Sequence, residues 1–164
     1  MTATTKVPLG AATLNRKWYI DVNSGTFGTP TWVGVFGVTD FKAGKDPTVQ
    51  DDSDFDSAGW KSSVITALGW ALELKLERKV SAASPTAYDP GQELLRAASD
   101  QMGVGNRVDV RWYEVTEGGP KTESYRGFAS VSWQPDGGSM DALDTVSVTL
   151  NGQGARTPST HPST

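Results

Sequence analysis

The sequence predicts a mainly β (α+β) domain, an antiparallel β-sandwich or half-barrel with one flanking α-helix. Segments that alternate between apolar and polar residues recur along the chain, clusters of Gly, Pro and Asn separate them, and one segment has helical periodicity. The longest alternation runs from Leu68 to Val80. Because successive side chains of a strand point to opposite faces, this alternation gives one apolar face and one polar face, the latter carrying Glu73, Lys75, Glu77 and Lys79. As a helix, the same leucines would be spread around the whole circumference, so the pattern outweighs the helix propensity of Leu, Glu and Lys.

The chain begins with a segment that we predict to be a flexible arm, residues 1–15, which is small and polar and contains Pro8 and Gly10. Residues 16–22 alternate and predict the first strand. An apolar, β-branched run at residues 32–38 predicts the second, and the Gly, Asn and Pro residues between them are typical of a turn. The two strands are therefore predicted to form a hairpin.

Residues 39–61 have no apolar period and contain Pro47 and an acidic cluster, so we predict a long loop. Loops of more than about 12–15 residues are uncommon in compact domains and are usually functional or disordered. Large apolar side chains are nevertheless spaced along this one, so we expect it to dock on another surface. The candidate contact residues are Phe41, Val49, Asp51, Asp52, Asp54, Phe55, Asp56 and Trp60.

After this loop, residues 62–67 predict a short strand that leads into the long one through a bulge at Gly69. A single helix is predicted at about residues 89–102, with Asp89 as N-cap, Pro90 at the first helical position, Gln92 closing a capping box and Gly103 after the end. Three further strands follow at residues 107–116, 124–133 and 145–150. We predict one folded domain over residues 16–152 and a flexible, polar C-terminal tail at 153–164.

The composition excludes several classes of function. The 164 residues include no cysteine, and the one histidine, His161, lies in a Pro/Ser/Thr segment, which removes disulfides, thiolate metal sites and most zinc chemistry. The formal net charge of −4 disfavours tight DNA binding, since such affinity comes largely from basic groups at phosphates. No run approaches the roughly 18 apolar residues of a membrane span, and no signal peptide is apparent. We expect a soluble protein that stays in the cytoplasm of its producer and needs no cofactor.

Three other sites are weighed. The motif Asp52-x-Asp54-x-Asp56 resembles the start of a calcium loop, but Ser57 and Ser63 stand where such a loop has glycine and a bidentate carboxylate. The carboxylates that a glycoside hydrolase requires would have to come from Glu73, Glu77, Asp109 and Glu114, which alternate with basic residues and are explained by charge ladders. Six tryptophans could form a sugar-binding platform, but four of them are predicted to lie on buried faces: Trp18, Trp70, Trp112 and Trp133. The pattern does not assign Trp32 and Trp60 to a buried or an exposed face. We expect no enzyme.

Five segments together carry a resemblance to a known family: residues 32–35, 46–57, 70–75, 87–92 and 146–154. They resemble the major tail (tail tube) proteins of long, flexible-tailed bacteriophages infecting actinobacteria. The likeness covers roughly residues 15–155, and its most specific parts are the acidic segment and the Tyr-Asp-Pro-Gly-Gln segment.

The resemblance implies a tail-tube-like fold and a virion protein, assembled in the bacterial host cytoplasm, that forms stacked hexameric rings around a conduit for DNA. Its implied partners are other copies of itself, a tape-measure protein and tail-tip and terminator proteins, and DNA passes without specific binding. The acidic net charge agrees with a lumen that repels phosphate. The face bearing Glu73, Lys75, Glu77 and Lys79 is then expected to meet the lumen or a neighbouring subunit, and the loop at 39–61 to lie between rings. A monomeric carbohydrate-binding β-sandwich is the alternative, and a glycoside hydrolase the third hypothesis.

Overall fold

A computed structural model describes residues 3–162 as one antiparallel sheet, a small ribbon and one α-helix. The strands are β1 (Trp18–Asn23), β2 (Trp32–Gly34), β3 (Val38–Asp51), β4 (Ser63–Glu77), β5 (Val80–Ser81), β6 (Ser84–Tyr88), β7 (Arg107–Glu114), β8 (Ser124–Pro135), β9 (Thr145–Gly152) and β10 (Thr157–Pro158), and the helix is α1 (Pro90–Ser99). Single 3₁₀ turns occur at Asn15–Lys17, Phe55–Ser57 and Gly103–Asn106. The predicted fold class, mainly antiparallel β with one helix, is confirmed. No helix in the described range is long and apolar enough to cross a membrane.

The main sheet has eight strands in the order β2-β1-β7-β8-β9-β4-β3, with β10 paired to β8. Only residues 35–37 link β2 to β3, which are the first and last strands of this order, so the two edges of the sheet must approach each other there. The Trp18 ring accordingly stacks on the Phe41 ring at 5.6 Å between centroids, and Asn15 Nδ2 donates to the Phe41 carbonyl at 2.9 Å. The sheet is therefore curled into a half-barrel.

The hydrophobic core fills the concave side of this curled sheet. The predicted apolar face of the long strand is buried from Trp70 to Leu76. Leu68 is 80% exposed, because it lies on the part of β4 that does not pair with β9. Helix α1 covers the core with Leu95 and Ala98. The buried residues from the other strands include Ile20, Val22, Val110, Trp112, Ala129, Val131, Val146, Val148 and Leu150.

Helix α1 begins as predicted, since the Asp89 carboxylate accepts a hydrogen bond from Gln92 N at 3.0 Å and Pro90 is the first residue. The Gln92 side chain closes no capping box. It is fully buried, and its Nε2 donates to the carbonyls of Phe36 (2.7 Å) and Glu77 (3.0 Å). The helix ends at Ser99 rather than near residue 102, with Asp100 as C-cap. The Gln92 side chain thus ties the helix to the β2–β3 link and to the end of β4.

The predicted long loop at residues 39–61 is wrong over most of its length. Strand β3 runs through it to Asp51 and pairs with β4 from Val38↔Leu76 to Asp51↔Ser63. Pro47 lies within β3, which is the edge of the sheet, where a missing backbone N–H is tolerated. The pairing with β4 satisfies the backbone hydrogen-bonding groups of β3, although its side chains do not alternate between apolar and polar. The loop that remains is residues 52–62.

Part of the predicted flexible tail is ordered against the sheet. Strand β10 pairs with β8, the Ser159 hydroxyl is 2.9 Å from that of Ser124, and His161 Nε2 is 2.6 Å from the Glu114 carbonyl oxygen. In the predicted arm, residues 3–14 are exposed and have no helix or strand. The rest of these two predicted segments, residues 1–2 and 163–164, lies outside the described residues.

Candidate protein–protein interface

The distal part of the β3–β4 pair projects from the body of the molecule. Strand β9 pairs with β4 only from Ala71 to Glu77, so residues 63–70 of β4 pair with β3 alone. At about 3.3 Å per residue, this two-stranded ribbon extends roughly 25 Å beyond the sheet. We call residues 46–69 the projecting hairpin. An isolated two-stranded ribbon is marginally stable in water, so a structure of this kind is expected to gain stability from a partner.

The projecting hairpin carries large apolar side chains that the described chain leaves about half or more exposed. Phe55 is fully exposed, and Trp60 and Leu68 are 81% and 80% exposed. The others are Val49, Val64 and Ile65. Isolated apolar residues are normal on a protein surface, but a group of six on one projecting ribbon is typical of an interaction site.

The tip of the projecting hairpin, residues 52–62, is held by its own hydrogen bonds. Asp54 Oδ1 accepts from the backbone N–H of Asp56 (3.1 Å) and from the Ser57 hydroxyl (2.8 Å), while Asp54 N donates to Ser57 Oγ at 3.0 Å. Ala58 and Gly59 then have positive φ, 50° and 81°, which turns the chain back toward β4. Phe55 is therefore presented to solvent by a defined turn.

Seven of the eight predicted contact residues lie on the projecting hairpin, and Phe41 does not. Phe41 is only 6% exposed and belongs to the core, so its assignment to an inter-subunit loop is wrong. The reason is its position on β3: it pairs with Leu74 within the body of the sheet and points to the same concave side. Whether the other seven bind a partner stays a prediction.

The predicted polar face of the long strand carries ion pairs on the outer side of the sheet. Glu73 pairs with Lys42 of β3 at 3.5 Å, and Lys75 pairs with Asp136 at 3.5 Å. Hydrogen bonds from Ser147 and Thr145 hold the pKa of Asp136 below its ordinary value. Glu77 pairs with Lys79 at 3.4 Å, but β4 ends at Glu77, so Lys79 is not part of the strand face. The Arg78 N–H still donates to the Asp144 carbonyl, in register with β9, and the chain then turns into the β5–β6 ribbon, where the Lys79 carbonyl accepts from Asp89 N.

A second charged layer, which sequence reasoning missed, lies under the β1–β2 turn. Arg111 Nε donates to Asp21 at 2.7 Å, and the Tyr113 hydroxyl donates to the same carboxylate at 3.1 Å. Burial, reinforced by the Asp21 charge, raises the pKa of Tyr113 to about 12. The signal available in the sequence was the opposite charge of residues on two strands that pair in the sheet.

The next pair in this layer is covered by aromatic rings. Arg126 Nη2 lies 2.6 Å from Asp109 Oδ2, and its guanidinium sits 4.1 Å from the Phe27 ring centroid and 5.1 Å from that of Trp32. Hydrogen bonding to Asp109 raises the pKa of Arg126. The layer is a set of paired charges that joins neighbouring strands. The Trp32 ring packs against its arginines and is not part of an exposed sugar-binding platform.

The three alternative sites gain no support from the geometry. Within residues 3–162, no group of three or more His, Cys, Asp or Glu residues could hold a metal ion, and Asp54 is engaged in its own turn. Each of the four candidate glycosidase carboxylates is paired with a different cation: Glu73 with Lys42, Glu77 with Lys79, Asp109 with Arg126 and Glu114 with Lys17. For the sugar platform, no second aromatic ring within the described residues lies beside the Trp60 ring to extend it into a binding surface.

No protein-family model and no curated protein matches the chain in sequence. Several solved structures match it in fold. A chain from the tail of an empty gene transfer agent particle, computed with helical refinement and C6 symmetry, has a TM-score of 0.63 at 12% identity, covering 91% of this chain and 100% of that one. A chain of the SPP1 tail tube has a TM-score of 0.62 at 12% identity, covering 90% of this chain and 80% of that one.

A chain of the sixfold-symmetrised anti-feeding prophage baseplate has a TM-score of 0.58 at 9% identity, covering 92% of this chain and 98% of that one. At these identities the likeness establishes the fold, which is tail-tube-like over nearly the whole described chain.

Proposed function

We propose that this chain is a structural virion protein that assembles into stacked hexameric rings and so forms a phage tail tube, the conduit for DNA delivery. The observation that carries the proposal is the projecting hairpin, a ribbon that exposes six large apolar side chains and has no partner within the described chain, on a fold shared with tail and tail-tube chains. A protein that functioned alone would expose this surface at a cost in solubility.

The edges of the sheet support assembly in a second way. Strand β3 is an edge strand of 14 residues, and long free edges are aggregation hazards that natural proteins cover or pair. Pairing across subunits would remove that edge in a closed ring. The neighbour with C6 symmetry supports six as the number of subunits, since its fold matches over the full length of its chain.

The charge of the chain fits a conduit that does not retain DNA. Each copy carries a formal net charge of −4, so an assembled tube repels phosphate instead of binding it. No enzymatic role is proposed. The tape-measure, tail-tip and terminator proteins, a virion with a long flexible tail, assembly in the host cytoplasm and an actinobacterial host are parts of the proposal that rest on the sequence resemblance.

Electron microscopy of the purified protein over a range of concentrations tests this proposal. We expect hollow tubes of uniform diameter whose averaged cross-section has sixfold symmetry. A protein that stays monomeric at every concentration and salt condition would contradict it. Binding of that monomer to a panel of oligosaccharides would instead favour the carbohydrate-binding alternative.

A further inference from the structure

A groove of about 450 Å³ lies where the projecting hairpin joins the body. Its apolar surface comes mainly from Leu68, which is 80% exposed, and Trp70, only 6% exposed, lies at its inner end. The Trp70 Nε1–H donates to the Gly154 carbonyl at 2.9 Å, which fixes the C-terminal segment as the opposite wall. We call this the root groove.

Two cationic side chains also line the root groove, Lys45 from β3 and Arg156 from the C-terminal segment. The Arg156 guanidinium is 4.1 Å from the centroid of the Tyr125 ring. In the described range, neither Lys45 nor Arg156 has a carboxylate within 4.0 Å. The groove therefore combines an apolar floor with positive charge that has no counterion within residues 3–162.

The tip of the projecting hairpin has the complementary chemistry. Phe55 is fully exposed between Asp54 and Asp56, and Asp51 and Asp52 lie just before them. Within residues 3–162, none of these four carboxylates is paired with a basic side chain. An apolar side chain flanked by unpaired negative charges fits a groove with an apolar floor and unpaired positive charges.

The tip cannot reach the root groove of its own chain. Both lie on one ribbon, and the paired strands between them keep the tip about 20 Å or more from Leu68 at 3.3 Å per residue. The tip can therefore reach a root groove only on a second copy of the chain.

We propose that the hairpin tip of one copy binds the root groove of a second copy, with Phe55 packing on Leu68 while tip carboxylates pair with Lys45 and Arg156. This inference rests on the proposed assembly and names the two surfaces that meet in it. Because tip and groove are different surfaces, the contact is head-to-tail and leaves a free tip and a free groove for further copies. Such a contact propagates, as a ring or tube requires. The defined turn at the tip reduces the entropy lost on binding.

Charge reversal tests the pairing. The tip variant is Asp52→Lys with Asp56→Lys, which spares the hydrogen bonds of Asp54, and the groove variant is Lys45→Asp with Arg156→Asp. Each should raise the concentration needed for tube formation by about tenfold or more, because like charges then meet at the contact. The chain carrying all four changes should recover assembly. The control reverses two exposed acids elsewhere, Glu117→Lys with Asp141→Lys, and should assemble like the parent chain.

Assembly of the tip and groove variants at the parent concentration would overturn the inference, and so would a fourfold variant as impaired as either half. In both cases the tubes of the parent chain would leave the proposed function standing. A parent chain that forms no tubes would overturn the proposed function and this inference with it. The melting temperature of each monomer verifies that the variants are folded.

Disulfide trapping is the second measurement and does not depend on charge. The chain has no cysteine, so Asp56→Cys with Ala155→Cys places one thiol on the tip and one in the groove wall. Oxidised tubes should contain chains linked in series, seen as a ladder on a non-reducing gel. The matched control keeps the tip cysteine and moves the other to an exposed site, Asp141→Cys. Equal linking in both variants would contradict the inference.

Discussion

At the residue scale, one buried carboxylate joins three segments of the chain. Glu114 is 3% exposed and accepts hydrogen bonds from Lys17 Nζ (2.9 Å), Thr122 N (2.8 Å) and Glu123 N (3.0 Å). Burial alone would raise the pKa of Glu114, but these donors outweigh it and hold the pKa below its ordinary value. The ionised form is therefore the one that stabilises the fold.

The sign of this shift predicts a pH dependence. A carboxyl group whose pKa is lowered in the folded state contributes stability above its unfolded pKa of about 4.3 and loses it as the pH falls through the folded pKa. Glu114→Gln should lower the free energy of unfolding by about 1.5–3 kcal/mol at pH 7, and the difference should shrink below about pH 4. Urea unfolding at pH 7 and pH 3 measures both values. Glu117→Gln, an exposed neighbour, is the control, and an equal loss at both pH values would contradict the prediction.

Two glycines allow the Trp70 ring to lie flat against the neighbouring strands. A Cβ on Gly127 would be 2.6 Å from Trp70 Cζ2, and one on Gly152 would be 2.5 Å from Cε2. Gly127→Ala should therefore lower the free energy of unfolding by about 1–3 kcal/mol through overpacking. Gly44→Ala is the matched control within a strand, since its Cβ would meet only the Ala71 carbonyl at 3.5 Å. Thermal unfolding of both variants gives the comparison, and equal melting temperatures would refute this role of Gly127.

At the element scale, the sequence predicts strands well where one face is buried. The alternation in β4 locates the core side from Trp70 to Leu76 because burial forces every second side chain to be apolar. In the projecting hairpin both faces meet solvent, so this constraint disappears and β3 resembles a loop in sequence. Backbone pairing with β4, which leaves no periodic trace in the side chains, makes it a strand.

The candidate interface is predictable from the sequence because apolar side chains stand out in a segment that has no buried face. Large apolar residues in an otherwise polar segment, such as Phe55 and Trp60, indicate a surface that binds something. Phe41 was misplaced because its neighbours are polar, although its pairing with Leu74 directs it into the core. The root groove was not predictable, since it brings together residues that are far apart in the chain, Leu68 and Arg156 among them.

The exposure of Phe55 predicts that assembly and folding respond differently to its removal. Phe55→Ala should leave the melting temperature of the monomer unchanged within about one degree, because the ring makes no core contact, while the yield of tubes falls severalfold. Sedimentation of tubes and calorimetry of the monomer measure the two effects. Met140→Ala removes an equally exposed apolar side chain from another loop and should change neither. Tubes formed with the parent yield would exclude a contact role for Phe55.

The outer face of β4 predicts a second separation of folding from assembly. Glu73→Lys with Glu77→Lys reverses two charges that lie outside the core, where an ion pair contributes about 0–1 kcal/mol, so the monomer should stay folded. If this face meets the lumen or a neighbouring subunit, tube formation or the passage of DNA through particles should change. Glu73→Gln with Glu77→Gln tests loss of charge without reversal. Normal assembly together with normal DNA ejection would remove this face from consideration.

At the scale of the whole molecule, the fold separates a stable body from parts that extend from it. The curled sheet closes over the core at the β2–β3 link, whereas the projecting hairpin and residues 3–14 lie outside that core. Three apolar side chains of the latter segment, Val7, Leu9 and Leu14, are exposed. Both extensions therefore carry apolar surface that a single copy does not bury.

This division predicts the result of deleting residues 2–14. The body should keep its melting temperature within a few degrees, because the deletion stops before Asn15, whose side chain donates to the Phe41 carbonyl at 2.9 Å. Tube formation should weaken, because Val7, Leu9 and Leu14 are then no longer available to pack on a neighbouring copy. Circular dichroism follows the body, and electron microscopy at matched concentrations follows the tubes. A chain in which the same residues are replaced by a Gly/Ser segment of equal length is the control for length, and it should assemble as weakly as the deletion. If both altered chains form tubes as efficiently as the parent chain, the arm has no part in assembly and the contacts must come from the body and the projecting hairpin alone.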